Sequence, residues 1–195
     1  MSEGVQLYDA AGRRKYLTAE ERRAFLAAAE KAPRQVRTLC LVLAFTGCRI
    51  SEALALTAQR IDLEAHTVVF ESLKKRRRGI YRAVPMPPQV CDALDLVHGL
   101  REAQKGKDGG QVQLWTFSRT TAWRHVAGVL DQAGIDGPQA SPKGLRHGFG
   151  VQAVSSGVPL NMVQKWLGHA QLSTTAIYAD AVGAEEQSIM SRMWG

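Results

Sequence analysis

The spacing of apolar residues follows the period of α-helices over the first third of the chain. In "LTAEERRAFLAAAEKAP", residues 17–33, Thr18 and Glu21 have the spacing of a capping box and Pro33 closes the segment, so we expect a helix. "RQVRTLCLVLAFTG" is almost wholly apolar in its second half, which predicts a central buried helix that ends at Gly47. "RISEALAL" predicts a short third helix.

The pattern then changes from helical to alternating. "HTVVFESL" and "GIYRAVPM" flank the basic run "KKRRRG", which predicts two antiparallel strands joined by a basic tip. Helical spacing returns in "QVCDALDLVHGL", after Ser118, after Ser141-Pro142, and in "PLNMVQKWLG" and "STTAIYADA". Residues 101–113, between "QVCDALDLVHGL" and Ser118, are expected to form an irregular loop. The predicted fold class is mainly α with one small antiparallel β-sheet (α+β).

A chain of 195 residues without a domain-splitting linker predicts one domain. We expect residues 1–16 to be a flexible leader, residues 17–182 to form the folded domain, and residues 183–195 to form a C-terminal helix. One face of that helix would carry the apolar residues Ile189, Met190, Met193 and Trp194. The pattern leaves open whether this face packs on its own core or on a neighbouring protomer.

The net charge of +7 favours a polyanionic partner, nucleic acid ahead of an anionic membrane. Cys40, Cys48 and Cys91 form no C-x-x-C pair, so we expect reduced, buried thiols and no zinc site. The first residues lack the apolar core of a signal peptide, and the longest apolar run, residues 39–45, is too short to cross a bilayer. These observations predict a cytoplasmic protein without a membrane partner.

Arg49 directly follows the break at Gly47. A cation at a helix N-terminus opposes the helix dipole, so helix stability does not account for this arginine. Glu52, three residues on, is placed to hold the guanidinium. Taken alone, the two could equally be a surface ion pair.

In "SPKGLRHGF", Lys143 and Arg146 share one face near a helix start, where they could clamp a phosphate or form an exposed basic turn. His147 adjoins Arg146, so we expect it to point elsewhere, into the core or into a supporting hydrogen bond. In "LGHAQLSTTAIY", His169 follows Gly168, and a lone His or a lone Tyr is more often structural than chemical.

The basic hairpin tip and the strand after it are expected to contact DNA phosphates, with a solvated tip as the alternative. The residues concerned are Lys74, Lys75, Arg76, Arg77, Arg78 and Arg82.

In this order, "TGCRISEALAL", the hairpin ending in "RAVPMP", "GLRHGF" and "LGHAQLSTTAIY" resemble the tyrosine recombinases, also called the phage integrase family. The matching pieces run from Thr46 to Tyr178, which is most of the chain. The catalytic fold of this family is mostly helical with a small sheet, in agreement with the fold class predicted from the pattern.

The resemblance implies a role for each matching residue. Tyr178 would attack a DNA phosphodiester and form a 3′-phosphotyrosyl link. Arg49 and Arg146 would clamp the non-bridging oxygens of that phosphate, and His169 would hydrogen-bond to it. Glu52 resembles the acidic partner of the first arginine.

The resemblance also implies a hairpin lysine that protonates the leaving 5′ oxygen, which we assign to Lys74 with Lys75 as the alternative. The chain departs from the family at Lys143, a position that is often histidine. Some members carry lysine there, so we keep Lys143 among the site residues without assigning it the role of a base.

The activity implied is site-specific recombination of double-stranded DNA by a dimer or tetramer on the DNA, without metal or nucleotide cofactor. A non-catalytic DNA-binding regulator and a type IB topoisomerase-like nicking-closing enzyme are the alternatives. Most members carry a further N-terminal clamping domain, whereas about 17 residues precede "LTAEE" here. The sequence could therefore be a short natural member of the family or a fragment of a longer protein, and the initiating Met favours the short member.

Overall fold

The computed structural model describes residues 6–72, 79–106 and 111–180, together with Gln187, Met190, Ser191 and Met193 of the tail. Its helices are α1 (Ala19–Glu30), α2 (Arg34–Thr46), α3 (Ile50–Leu54), α4 (Pro88–His98), α5 (Leu100–Lys105), α6 (Arg119–Gln132), α7 (Pro142–Ser155), α8 (Leu160–Leu167) and α9 (Ser173–Ala176). Its strands are β1 (Ile61–Asp62), β2 (Thr67–Glu71) and β3 (Tyr81–Pro85). The predicted fold class, mainly helical with a small antiparallel sheet, is confirmed.

Local capping chemistry sets the helix ends where the sequence predicts them. The Thr18 hydroxyl accepts from the Glu21 amide at 3.2 Å while the Glu21 carboxylate accepts from the Thr18 amide at 2.8 Å. Gly47 ends α2 in the left-handed conformation, with φ 61°. The Ser141 hydroxyl accepts from the Gly144 amide at 3.1 Å and starts α7.

The sheet has the order β1-β2-β3, with both pairings antiparallel. Val68 lies opposite Val84 and Phe70 lies opposite Arg82, so these four residues face the core. The two predicted strands are confirmed, whereas the two-residue strand β1 is an addition that its short sequence did not indicate. The basic tip, residues 74–78, lies outside the described residues.

Two clusters of apolar side chains form the core. The larger one surrounds α2, which is buried along most of its length, and includes the free, buried thiols Cys40, Cys48 and Cys91. The smaller one joins the N-terminal segment to α7, α8 and Tyr178, and contains Leu7, Tyr16, Val151, Ala153, Val163, Leu167 and Tyr178. The smaller cluster therefore anchors the residue that the sequence singles out as a nucleophile.

Residues 6–16 are not the flexible leader that the sequence predicts. Leu7 and Tyr16 are buried, and Tyr8 pairs with Arg14 across a turn that the Asp9 carboxylate caps. These two apolar side chains pack in the smaller cluster against α7 and α8, and this packing holds the segment on the domain. Residues 1–5 of the predicted leader lie outside the described residues.

The predicted loop over residues 101–113 is also wrong in its first part, where α5 (Leu100–Lys105) continues the chain as a helix. Leu100 is buried, and the Gln104 amide donates to the carbonyls of Ala58 and Ile61 at 2.8 Å each. These tertiary contacts stabilise a helix here, although the helical pattern of this segment is too weak to predict one.

Little of the C-terminal prediction can be followed in the structure. Met190 and Met193 are exposed, while Ile189 and Trp194 lie outside the described residues. Among the residues that the structure describes, no helix has both the length and the apolar character that crossing a membrane requires.

Candidate active site

The starts of α3 and α7 and the turn from α8 to Tyr178 surround a cavity of about 590 Å³. Six residues that the sequence singles out line it: Arg49, Lys143, Arg146, His147, His169 and Tyr178. The first of them, Arg49, and the last, Tyr178, are more than a hundred residues apart in the chain, so the fold brings together what the sequence presents separately.

Arg49 stands at the N-cap of α3, and Glu52 holds it there. The Glu52 carboxylate accepts from the Arg49 amide at 2.8 Å and from its guanidinium at 2.9 Å. The Arg49 side chain keeps 35% of its surface exposed, whereas that of Glu52 keeps 1%. The pair is therefore not a surface ion pair, because Glu52 supports from beneath a guanidinium that opens into the cavity.

Glu52 has a second partner, Arg82. The Arg82 guanidinium donates to both Glu52 oxygens, at 3.2 and 2.7 Å, and its Nε donates to the Trp166 carbonyl at 2.7 Å. Burial raises the pKa of Glu52, but the hydrogen bonds and charges of Arg82 and Arg49 outweigh that and hold the pKa below its usual value.

The expected DNA contact of Arg82 is therefore corrected. Its side chain is 7% exposed, and its donors are directed to a carboxylate and a carbonyl inside the protein. A cation with its partners satisfied in the interior is not available to a phosphate at the surface.

Arg146 is a buried arginine fixed by backbone carbonyls. Two of its nitrogens donate to the Gly47 carbonyl at 2.8 Å and to the Leu167 carbonyl at 2.7 Å. Burial lowers its pKa to about 10, and the nearby Arg49 charge adds to this shift. Arg146 therefore remains cationic at neutral pH, and the guanidinium has further donors for an anion in the cavity that it lines.

Tyr178 also lines the cavity. It lies in the 3₁₀ turn Ile177–Asp180 and is 1% exposed. Its ring packs against the backbone of α7 at Gly150, where a Cβ would come within 2.6 Å of the ring. Burial raises the pKa of Tyr178 to about 12, against the opposing effect of Arg146 and Arg49. The phenol is therefore protonated at neutral pH.

His147 contacts Tyr178 directly. Its Nδ1 lies 3.3 Å from the Tyr178 hydroxyl oxygen, and the ring centroids are 5.9 Å apart. His147 and Arg146 line the same cavity, so the expectation that His147 points elsewhere is wrong, whereas its expected burial and supporting hydrogen bond are both present. Burial lowers the pKa of His147 to about 4, with a further contribution from Lys143, Arg146 and Lys15, so its imidazole is neutral at pH 7.

His169 also contacts the Tyr178 ring. The two rings are stacked, with centroids 6.1 Å apart and planes inclined by 17°. The His169 Nδ1 is 3.0 Å from the Thr175 hydroxyl, which fixes the ring orientation. Gly168 ends α8 with φ 65°, a left-handed turn that lets the chain present His169 to the cavity.

Lys143 is exposed at the rim of the cavity, on the first turn of α7. Arg119, at the start of α6, also lines the cavity and was not predicted. The signal for it was weak, because an arginine one residue after the N-cap Ser118 has no distinguishing spacing. Lys74, Lys75, Arg76, Arg77 and Arg78 lie outside the described residues.

The cavity wall therefore carries the cations Arg49, Arg119, Lys143 and Arg146. The carboxylate of Glu52 lies behind this wall and is already shared between two arginines. Guanidinium groups are suited to phosphate oxygens because they donate in a planar fork. The arrangement can bind an oxyanion next to the hydroxyl of a buried tyrosine.

Comparison with known proteins agrees with this arrangement. Residues 15–184 match the sequence profile of the Phage integrase family. Tyrosine recombinase XerD of Mycobacterium tuberculosis is 35% identical over 149 residues, covering 73% of this chain and 46% of that protein. XerD of Pseudomonas aeruginosa is 33% identical over 165 residues, covering 80% of this chain and 53% of that protein.

Solved structures share the fold. XerA recombinase superposes with a TM-score of 0.77 at 25% identity over 92% of this chain and 65% of its own. The catalytic domain of bacteriophage HP1 integrase superposes with a TM-score of 0.62 at 21% identity, over 90% of this chain and 93% of its own. The chain spans about half the length of the curated relatives it matches. From the profile match over most of its length, this chain belongs to the phage integrase family, the tyrosine recombinases.

Proposed function

We propose that this chain is the catalytic domain of a site-specific DNA recombinase that cuts and rejoins DNA through a covalent 3′-phosphotyrosyl intermediate. The observation that supports this most directly is that Tyr178 lines the same cavity as Arg49 and Arg146. A nucleophile and two guanidinium groups around one cavity are what phosphoryl transfer to tyrosine requires.

In the proposed reaction, a backbone phosphate of DNA occupies the cavity. Arg49 and Arg146 donate to its non-bridging oxygens and stabilise the charge that builds up on them in the transition state. The imidazole of His169 donates to the same phosphate. Both guanidinium groups are held before DNA arrives, Arg49 by Glu52 and Arg146 by the carbonyls of Gly47 and Leu167, so little reorganisation is needed.

Tyr178 Oη then bonds to phosphorus while the bond to the 5′ oxygen breaks. Lys74 of the basic tip donates a proton to the leaving 5′ oxygen, with Lys75 as the alternative donor. The phosphotyrosyl link retains the energy of the phosphodiester until the 5′ hydroxyl of a second strand attacks. That attack releases Tyr178 and completes strand exchange, with Lys143 at the rim contributing positive charge to the phosphate.

The proposed partner is a double-stranded recombination site bound by a dimer or tetramer. The similar XerH site-specific recombinase was solved bound to difH substrate, at a TM-score of 0.72 and 22% identity. The cationic rim and the net charge of +7 favour phosphate binding. In this assembly residues 183–195 would pack on the neighbouring protomer.

A covalent-adduct assay tests the proposal. Wild-type protein is incubated with fragmented chromosomal DNA, adducts are recovered under denaturing conditions, and the sequence at the adduct is remade as a nicked duplex. We expect a protein–DNA band on a denaturing gel, and recombinant products when two intact duplexes are supplied. DNA binding without an adduct contradicts the proposal, and adducts that only relax supercoiled DNA would indicate a nicking-closing enzyme instead.

A further inference from the structure

His147 Nδ1 and the Tyr178 hydroxyl oxygen form a hydrogen bond, at 3.3 Å. The proposed reaction needs the phenolic proton to leave as Oη bonds to phosphorus, because a protonated phenol is a poor nucleophile. Tyr178 is buried beside the cavity, so bulk water has little access to its hydroxyl. An acceptor within the protein is therefore required.

His147 is positioned for this one contact. Among the described residues its Nε2 is buried without a hydrogen-bond partner, so the hydrogen bond that orients the ring is the one to Tyr178. A neutral imidazole carries its proton on one nitrogen, and the tautomer with the proton on Nε2 leaves the Nδ1 lone pair directed at the phenol. The backbone also fixes this geometry, since Tyr178 packs closely on Gly150, three residues further along the same helix.

The other titratable groups around Tyr178 are placed for different roles. The His169 ring is stacked on the phenol, and its Nδ1 is bonded to Thr175. Arg49 and Arg146 are cations, which cannot accept a proton. The charged groups that face His147 are Lys143 and Arg146 on its own helix and Lys15 on the N-terminal segment. All three are cationic and favour the neutral, proton-accepting form of the imidazole in the absence of DNA.

We infer that His147 is the general base of the reaction, accepting the Tyr178 proton at Nδ1 during cleavage and returning it during rejoining. This inference rests on the proposed function. In cleavage the Oη–P bond forms, the P–O5′ bond breaks, the phenolic proton passes to His147, and Lys74 gives a proton to the 5′ oxygen. The phenolic proton thus stays on the protein while the Lys74 proton moves to the new 5′ hydroxyl, so protein and DNA together keep the same number of protons, and the rejoining step reverses both transfers. The anionic phosphate in the cavity offsets the surrounding cations when the imidazolium forms.

The test compares cleavage rates of the wild type, His147→Asn and a matched control, His66→Asn, on the nicked duplex identified by adduct mapping. Asparagine places an amide near the Nδ1 position without a basic nitrogen. His66 lies outside the cavity in a left-handed turn with φ 49°, a conformation that asparagine tolerates. We expect cleavage to fall at least about a hundredfold in His147→Asn and to be unchanged in His66→Asn.

Two further readouts separate a general base from a positioning residue. The cleavage rate of His147→Asn should rise with pH between 6 and 9 while that of the wild type stays nearly flat, because hydroxide must replace the missing base. A duplex with sulfur in place of the scissile 5′ oxygen needs no general acid, so it should restore cleavage to Lys74→Ala but not to His147→Asn. DNA binding and thermal unfolding of each variant report whether the fold is intact.

The test separates failure of the inference about His147 from failure of the proposed function. If the wild type forms no adduct with any DNA, the proposed function is wrong, and there is no reaction in which His147 could act as a general base. If the wild type cleaves and His147→Asn cleaves equally well, the inference about His147 is overturned while the function stands. A slow His147→Asn that keeps the wild-type pH profile, or that the sulfur substrate restores, also overturns it.

Discussion

Glu52 binds Arg82 through both of its carboxylate oxygens, although the two residues are 30 positions apart in the chain. The same carboxylate holds the guanidinium of Arg49 at the cavity wall. Arg82 thus connects the sheet to the start of α3, and its Nε fixes the end of α8 through the Trp166 carbonyl. One buried ion pair positions two of the segments that form the candidate active site.

Replacing Arg82 with leucine should destabilise the fold strongly. The change leaves a buried carboxylate with one partner instead of two, and breaking a buried pair typically costs about 3–5 kcal/mol. The free energy of unfolding is measured by urea titration. Arg101→Leu is the matched control, because its pair with Asp95 is at the surface and should contribute less than about 1 kcal/mol. Equal losses in the two variants would show that the Glu52–Arg82 pair is not a structural support.

Gly150→Ala should abolish adduct formation. A Cβ at this position lies 2.6 Å from the Tyr178 ring, so the ring and its hydroxyl must shift. Overpacking of this kind costs about 1–3 kcal/mol, which leaves a folded protein with a misplaced nucleophile. The assay is the covalent adduct on nicked DNA, with circular dichroism to confirm the helical fold.

Gly128→Ala is the control for that variant. Gly128 lies within α6, and nothing is within 4 Å of the added Cβ. We expect normal adduct formation and a gain of about 0.5–1 kcal/mol in stability, since alanine is favoured over glycine inside a helix. Normal cleavage by Gly150→Ala would mean that Tyr178 leaves its packed position before it reacts.

Local features were predictable from the sequence because their causes are local. Thr18, Gly47 and Ser141 set helix ends through contacts within a few residues, and the pairing of Arg49 with Glu52 lies within one helical turn. The order of the motifs then indicated the family that the comparisons show.

Long-range contacts were the ones that the sequence did not reveal. The alternation of β3 contained one usable signal, because Arg82 is two residues from Val84 and must share its inward face. The basic tip nearby suggested an exposed arginine instead. The contact between His147 and Tyr178 and the packing of Leu7 and Tyr16 depend on how distant segments meet, for which the sequence pattern gives no measure.

The stability of the protein should fall as the pH drops from about 6.5 towards 4. His147 has an ordinary pKa of 6.5 when unfolded and a pKa of about 4 in the fold. Between these values the unfolded state binds a proton that the folded state does not, so acid favours unfolding. The expected loss is up to about 3 kcal/mol, from 1.36 kcal/mol per pKa unit.

Urea titrations across this pH range measure the effect, and His147→Asn isolates the contribution of this residue. The variant lacks a titrating imidazole, so its stability should depend less steeply on pH over the same interval. Identical slopes in wild type and His147→Asn would mean that His147 is not held neutral in the fold.

The Tyr178 hydroxyl is the proposed nucleophile. The most direct measurement is mass spectrometry of the peptide that remains attached to DNA after the adduct is digested with a protease and a nuclease. We expect a nucleotide linked through a 3′ phosphate to Tyr178, with Tyr178→Phe binding DNA normally but forming no adduct. A nucleotide on any other residue, or an adduct formed by Tyr178→Phe, would contradict it.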